Sequence, residues 1–147
     1  MKKFRYSMES ILGIKLKLED QAKIAYANAR NSLNVEEEKL AQLKNKKSSY
    51  EEEQRTVSND KLNIMKLKEL SQSIEIMKYK INQQKALVYA AEQRLEDARI
   101  RLNDAMVERK TQEKLKEKAW QEYIEEYEAQ EQKTIDELNS FNYGSAI

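Results

Sequence analysis

Apolar residues recur along the second half of the chain in alternating steps of three and four positions. Gln84 is the one amide in the series. Heptad spacing of this kind, kept over about five repeats, predicts a long α-helix with one face packed against another helix. The positions are Leu67, Leu70, Ile74, Met77, Ile81, Gln84, Val88, Ala91, Leu95, Ala98, Leu102 and Ala105.

The first half carries a looser stripe of the same kind. From Ala29 onward its steps are heptad steps, whereas from Ile11 to Leu33 they average about 3.67 residues, closer to an eleven-residue repeat. A first helix with a straighter N-terminal part is therefore expected. The stripe consists of Ile11, Ile14, Leu18, Ala22, Ala25, Ala29, Leu33, Glu36, Leu40, Leu43, Lys47, Tyr50, Gln54 and Val57.

A bend is predicted between these two helices, at about residues 57–62. Ser58, Asn59 and Asp60 follow one another there, and each can cap the free N–H groups that open a second helix. The prediction is one domain over residues 1–147, with helix one at about 5–57, helix two at about 62–140 and a frayed tail at 141–147. The alternative is one unbroken helix that dimerises with another chain.

A bend near residue 60 means that positions whose numbers sum to about 120 face each other. Leu40 then meets Ile81, Leu33 meets Val88, Ala22 meets Ala98 and Leu18 meets Leu102. Helix one covers its partner only to about residue 115, so residues 116–140 are expected to overhang. The predicted fold is all-α: two long helices in an antiparallel coiled-coil hairpin, with the second helix longer and overhanging.

The predicted overhang has an unusual composition. It contains Trp120, the only tryptophan, together with Tyr123 and Tyr127, and helix one is too short to cover them. Residues 122–137 hold seven acids and one lysine, a net charge of −6, while residues 109–118 hold five basic and two acidic residues, a net of +3. Exposed aromatic side chains on an unpaired helix indicate a partner site. Self-association, or a first helix that reaches further, remains open.

Composition excludes most chemistry. The chain has no Cys, His or Pro and only two glycines, so the usual zinc sites, thiol nucleophiles and imidazole bases are not expected. A two-helix hairpin has no interior that could shift a carboxylate pKa. No enzyme activity, cofactor or metal is expected. The net charge of +1 gives no case for nucleic acid, and no apolar run is long enough for direct membrane insertion, so the chain is expected to be soluble.

Four segments, in order, resemble the FliJ family. The family commonly opens with an aromatic-x-aromatic pair, an acidic residue, a Leu-rich turn and a basic residue. Its second helix has its own opening pattern. Further along the family has a basic pair before Glu-Lys-Leu, and it ends on an acidic-x-Lys-x-x-Asp-Glu pattern. Here aliphatic residues stand where relatives often have Phe and a polar residue. The segments are residues 4–15 (FRYSMESILGIK), 67–75 (LKELSQSIE), 108–118 (ERKTQEKLKEK) and 131–137 (EQKTIDE).

The resemblance implies a role in the flagellar type III protein export apparatus. Such a protein is cytoplasmic and peripherally associated with the inner face of the cell membrane through that apparatus. It resembles the central stalk of rotary ATPases, binds the flagellar export ATPase hexamer and promotes its assembly and activity. The resemblance also implies binding to the cytoplasmic part of the export-gate membrane protein and to export chaperones. The stalk end falls on about residues 1–20 and 105–140.

Two sets of contact residues follow, and the first set largely coincides with predicted seam positions. The resemblance assigns the export gate to one set, namely Leu40, Leu43, Tyr50, Leu70, Ile74, Met77 and Ile81. The other set is a hypothesis for the ATPase ring that the resemblance implies; it takes the charged and exposed aromatic residues near the stalk end, namely Arg109, Lys110, Leu115, Trp120, Tyr123 and Tyr127.

Three other classes compete with this interpretation. A generic coiled-coil scaffold would lack the ordered family-like segments. The analogous stalk subunit of a virulence-type secretion system has a similar shape and role. A peripheral stalk of an ion-driven rotary ATPase usually joins a longer coiled coil to a globular head, for which 147 residues leave no room.

Overall fold

Two helices make up nearly all of the computed structural model, which describes residues 3–59 and 63–145. Helix α1 runs from Glu9 to Asn59 over 51 residues, and helix α2 from Ile64 to Ser145 over 82 residues. No strand occurs in the described ranges. Glu9 contacts Lys116, Leu33 packs with Val88 and Gln54 contacts Ser71, so α1 and α2 run antiparallel and the predicted all-α hairpin is confirmed.

The helix ends differ by several residues from the sequence expectation. Residues 3–6 are not helical, and α1 begins only at Glu9, whose N–H donates to the Tyr6 carbonyl at 3.2 Å. At the other end α2 stays helical to Ser145 instead of ending near residue 140. With few Gly and no Pro there, no strong helix breaker stops α2 earlier.

The predicted bend falls on residues 57–62, of which residues 57–59 are still helical and residues 60–62 lie outside the described part. Asn63 caps α2, since its side-chain oxygen accepts the Lys66 N–H at 3.1 Å. The sequence had predicted Ser58, Asn59 and Asp60 as the residues that could cap α2. The Ser58 hydroxyl instead donates to the Arg55 carbonyl at 3.0 Å, within the last turns of α1.

The chain divides into two compact units. We call Ala22–Leu102 the loop-side unit, and Met1–Gln21 with Asn103–Ile147 the terminal unit. Each unit contains a stretch of both helices, so each holds its own part of the seam between α1 and α2.

The loop-side unit has an apolar seam. Leu33, Val88 and Ala91 form a buried cluster against which Leu40 and Leu95 pack, as the predicted Leu33–Val88 pairing requires. Ala91 is 0% exposed, because its small side chain lets the two backbones approach closely. The other buried apolar side chains of this unit are Leu70, Ile74, Met77, Ile81 and Ala98.

One amide interrupts that apolar seam with its hydrogen bonds satisfied. Gln84 is buried, and its Nε2 donates to the Glu36 carbonyl at 3.0 Å and to the Glu36 carboxylate at 2.5 Å. Nearer the bend, Gln54 Nε2 donates to Ser71 Oγ at 3.0 Å. Such polar pairs favour one alignment of two helices over its neighbours.

In the terminal unit the predicted α1 stripe was wrong by one residue. Ile14 and Leu18 are 56% and 42% exposed, whereas Leu12 and Glu19 are buried at 6% and 4%. The predicted Leu18–Leu102 pairing therefore does not form the seam there. Counted from Leu12 in steps of three and four, the seam positions keep heptad spacing, but some of them are charged.

Candidate functional site

A ladder of polar contacts joins α1 to α2 in the terminal unit. The Glu19 carboxylate accepts from the Arg109 guanidinium. Three further contacts extend the ladder from this pair towards the start of the chain. They are Lys15 Nζ to Glu108 Oε2 at 3.0 Å, Tyr6 OH to Gln112 Oε1 at 3.3 Å, and Lys116 Nζ to Glu9 Oε2 at 2.9 Å.

The Glu19–Arg109 pair is the least exposed of the ion pairs in this ladder. The side chains of Arg109 and Glu19 are 19% and 6% exposed, and Arg109 Nη1 also donates to Glu113 Oε2 at 2.9 Å. The hydrogen bond to Glu19 raises the pKa of Arg109 above its ordinary value. Arg109 is therefore a cation that donates hydrogen bonds to carboxylates of its own chain.

Beyond the ladder, four aromatic rings form a cluster on α2 and the segment before α1. The Phe4 ring meets Trp120 edge-on at 5.0 Å and Tyr123 at 5.4 Å. Trp120 stacks on Tyr123 at 5.6 Å, and Tyr123 lies 6.4 Å from Tyr127. Aromatic pairs at these distances add stabilisation beyond their buried area.

The sequence-based prediction considered only helix one as cover for Trp120 and Tyr123, whereas in the structure Phe4, from the segment before α1, contacts both rings. Residues 3–8 lie along α2 without helical structure, and an extended segment reaches about twice as far per residue as a helix. The cover is partial, because Trp120 and Tyr127 remain 43% and 39% exposed. Beside the cluster lies an open groove whose lining includes Lys3, Arg5, Glu122 and Glu126.

Of the six residues assigned to the ATPase ring, the structure brings three together in this cluster: Trp120, Tyr123 and Tyr127. Arg109 belongs to the ladder. Lys110 and Leu115 are exposed, Leu115 at 42%, and are not part of the aromatic cluster. A hydrogen bond to Glu131 raises the pKa of Tyr127, so its phenol stays protonated near neutral pH.

The seven residues assigned to the export gate lie in the seam of the loop-side unit. Leu40, Leu43 and Tyr50 are half-buried. The four from α2 are at most 7% exposed, namely Leu70, Ile74, Met77 and Ile81. The structure brings the set together as packing partners, with little surface left for a second protein while the hairpin is closed.

Exposed apolar side chains do occur on the same turns of α2. Ile76, Tyr79 and Leu87 are 52%, 64% and 50% exposed, and Tyr79 accepts a hydrogen bond from Gln83 at 2.8 Å. None of the three lies on the heptad positions from which the seam of α2 was predicted. The available signal was the spacing of these three residues, which places them on one face by helical geometry.

Among the described residues no helix is long and apolar enough to cross a membrane, and no cluster of acidic side chains is arranged to hold a metal ion. The grooves next to the helices are open to solvent.

Comparison with known proteins agrees with this architecture. The family model described as flagellar FliJ protein matches residues 4–146. A solved structure of a proposed YscO homolog from Chlamydia trachomatis has a TM-score of 0.73 at 24% identity, covering 96% of each chain. At that identity the likeness concerns the fold. None of the curated proteins matches the sequence significantly.

Proposed function

The chain belongs to the FliJ family of type III export-apparatus components, and we propose that it acts there as a stalk-like subunit that binds the flagellar export ATPase hexamer. In this role it promotes assembly and activity of the ring. The family match over residues 4–146 carries the proposal, because it spans both helices of the hairpin. The mechanism is binding: a protein that binds the assembled ring favours it by mass action.

We propose the terminal unit as the end that enters the ring. Its aromatic cluster presents partly exposed rings, with Trp120 43% and Tyr127 39% exposed. Lys110 and Leu115 add an exposed cation and an apolar side chain on the same helix. Partly exposed aromatic groups are typical anchors of protein interfaces. Arg109 contributes through the ladder, by holding α1 against α2.

For the export gate we propose the exposed face of α2 in the loop-side unit. The residues assigned by resemblance are packed in the seam, so contact with them would require the helices to part. Ile76, Tyr79 and Leu87 offer apolar surface on the same helix, and contact with them does not require the helices to part. Export chaperones are a third proposed class of partner, and nucleic acid is not expected.

We propose a cytoplasmic location, peripheral to the inner face of the cell membrane through the export apparatus. Two alternatives remain. The analogous stalk of a virulence-type secretion system is favoured by the likeness to the YscO homolog, and rescue of motility in a deletion strain would decide against it. A generic scaffold would show no ATPase partner.

The first test is ATPase activity of the purified export ATPase, titrated with this protein and followed by gel filtration. Stimulation, together with co-elution of a ring-sized species, is expected. If the hairpin is folded by circular dichroism yet neither binds nor stimulates, the stalk function fails and a scaffold with another partner remains.

The ring contact is tested by Trp120→Ala, with Tyr89→Ala as its control. Tyr89 is 63% exposed in the loop-side unit, so both changes remove an exposed aromatic ring. Trp120→Ala is expected to weaken ring binding about tenfold without loss of helicity, and Tyr89→Ala is expected to leave it unchanged. A parallel loss of helicity would make Trp120 structural and end this assignment.

The gate contact is tested by Ile76→Asp, with Val107→Asp as its control. The two side chains are similarly exposed, at 52% and 55%, and Val107 lies in the terminal unit. Ile76→Asp is expected to abolish measurable binding to the purified cytoplasmic part of the gate protein. If both variants bound the gate protein equally well, the exposed face of α2 would not be the gate contact, and the seam residues would again be the candidates.

A further inference from the structure

The last turns of α2 carry an apolar face that nothing covers in the described part of the chain. We define the C-terminal ridge as Tyr127, Ile135, Leu138 and Phe141. Their exposed fractions are 39%, 49%, 57% and 73%. Every described residue of α2 from 125 to 144 is exposed, so this helix is here solvated all round.

The ridge continues the face by which α2 packs in the terminal unit. At 3.6 residues per turn, Tyr127, Leu138 and Phe141 point within about 40° of the direction of Arg109, and Ile135 within about 80°. Arg109 belongs to the ladder that faces α1. The packing face of α2 thus continues beyond its contacts with residues 3–8. It carries apolar side chains there, and within residues 3–59 and 63–145 no helix lies opposite it.

The charge around the ridge selects what can cover it. Residues 127–141, which carry the ridge, contain four acids and one lysine, a net of −3, and flanking charges decide which helices pair. Two ridges from two copies of the chain would bring like charges together. The first turns of α1 do not complement it either, because residues 9–20 hold three acids and two lysines, a net of −1.

We propose that the C-terminal ridge is the docking surface for one basic amphipathic helix of another protein. This helix would extend the two-helix packing, with its apolar stripe on Ile135, Leu138 and Phe141 and its cations beside Glu131 and Glu137. The inference does not depend on the ATPase or the gate as partner, since it rests on the exposure and charge of α2 alone.

The test uses two labelled synthetic peptides and the full chain. Both peptides carry three heptads with Leu and Ile at the core positions; one has Lys at the flanking positions, the other Glu. Fluorescence anisotropy should give binding of the Lys peptide that is at least about tenfold tighter than that of the Glu peptide. The Lys-peptide affinity should fall as salt rises.

The double variant Ile135→Ser/Leu138→Ser is expected to weaken the Lys peptide roughly tenfold to a hundredfold. Its control is Ile24→Ser/Val35→Ser, which changes side chains 62% and 50% exposed on α1 and should leave binding unchanged. Circular dichroism checks that both variants keep their helicity. The comparison of the Lys and Glu peptides uses the unchanged chain, so its result does not depend on whether the variants fold.

Three results would overturn the proposal. Equal binding of the two peptides would remove the charge argument. Binding insensitive to Ile135→Ser/Leu138→Ser would place the peptide elsewhere. A wild-type dimer in sedimentation equilibrium that this double variant dissolves, and its control does not, would make a second copy of the chain the occupant.

Discussion

In the loop-side unit the seam between α1 and α2 is mainly apolar, whereas in the terminal unit some of the heptad positions carry charged or amide groups beside the buried Leu12. Leu33, Val88 and Ala91 represent the first kind. Arg109 and Glu19 represent the second. One helical pairing therefore uses two different kinds of contact along its length.

Apolar contacts and ion pairs contribute differently to the stability of the hairpin. Apolar burial stabilises by about 25 cal/mol per Å² removed from water. Exposed ion pairs contribute roughly 0–1 kcal/mol, and buried ones lose much of their attraction to desolvation. We infer that the loop-side unit supplies most of the stability, while the ladder mainly fixes which residues of the terminal unit face each other.

Amide hydrogen exchange gives the sharpest test of this comparison, with the largest expected effect. Amides of α2 between Leu70 and Ala98 should exchange on the order of a thousandfold more slowly, relative to intrinsic rates, than those of residues 128–144. The amides between Leu70 and Ala98 belong to the turns that carry the buried seam side chains, whereas every residue from 128 to 144 is exposed. Equal protection along α2 would contradict the division of stability between the units.

Leu33→Ala should produce the next largest effect. Leu33 is 6% exposed and belongs to the buried cluster, so truncation is expected to lower the free energy of unfolding by about 2–4 kcal/mol. Ile24→Ala, at a side chain 62% exposed in the same unit, should cost under about 1 kcal/mol. Urea unfolding followed by circular dichroism compares them; similar losses would mean that the seam does not dominate.

The seam of α2 could be predicted from the sequence because apolar side chains mark most of its positions. At the start of α1 the same rule failed. Ile14 and Leu18 are apolar but exposed, while Glu19 is charged but buried against Arg109. Hydrophobic periodicity cannot recognise a seam position held by an ion pair, because the partner lies about 90 residues away.

The aromatic cluster shows a second limit of the sequence. Its α2 members were predicted as a partner site, but the part played by Phe4 was not. Residues 3–6 are not helical, and helical periodicity gives no information about where such a segment lies. Only the three-dimensional contact of Phe4 with Trp120 and Tyr123 reveals that the start of the chain covers them.

Phe4→Ala tests how firmly this cover is held. Loss of two ring contacts should lower stability by about 1 kcal/mol and shift the fluorescence of Trp120, the only tryptophan, towards longer wavelength as water reaches the indole. Phe141→Ala is the control, because Phe141 is 73% exposed on the C-terminal ridge. An unchanged emission spectrum in Phe4→Ala would mean that residues 3–8 do not shield Trp120.

The smallest effect is expected from an ion pair outside the seam of the loop-side unit. Arg99 donates to Glu96 at 2.9 and 2.6 Å, and this hydrogen bonding lowers the pKa of Glu96 below its ordinary value of 4.5. A lowered folded-state pKa means that the pair stabilises above the unfolded pKa and that this stabilisation is lost as pH falls through the folded one.

A carboxyl NMR titration of Glu96 should therefore give a pKa below 4.5, and Arg99→Gln should return it towards that value. Both groups lie on α2 three residues apart, so the pair bridges turns of one helix and leaves α1 untouched. Arg99→Gln should then leave seam packing intact, whereas Arg109→Gln, which leaves the nearly buried Glu19 without its guanidinium, should loosen the terminal unit. If both changes loosened their units equally, position in the seam would not be what distinguishes the two pairs.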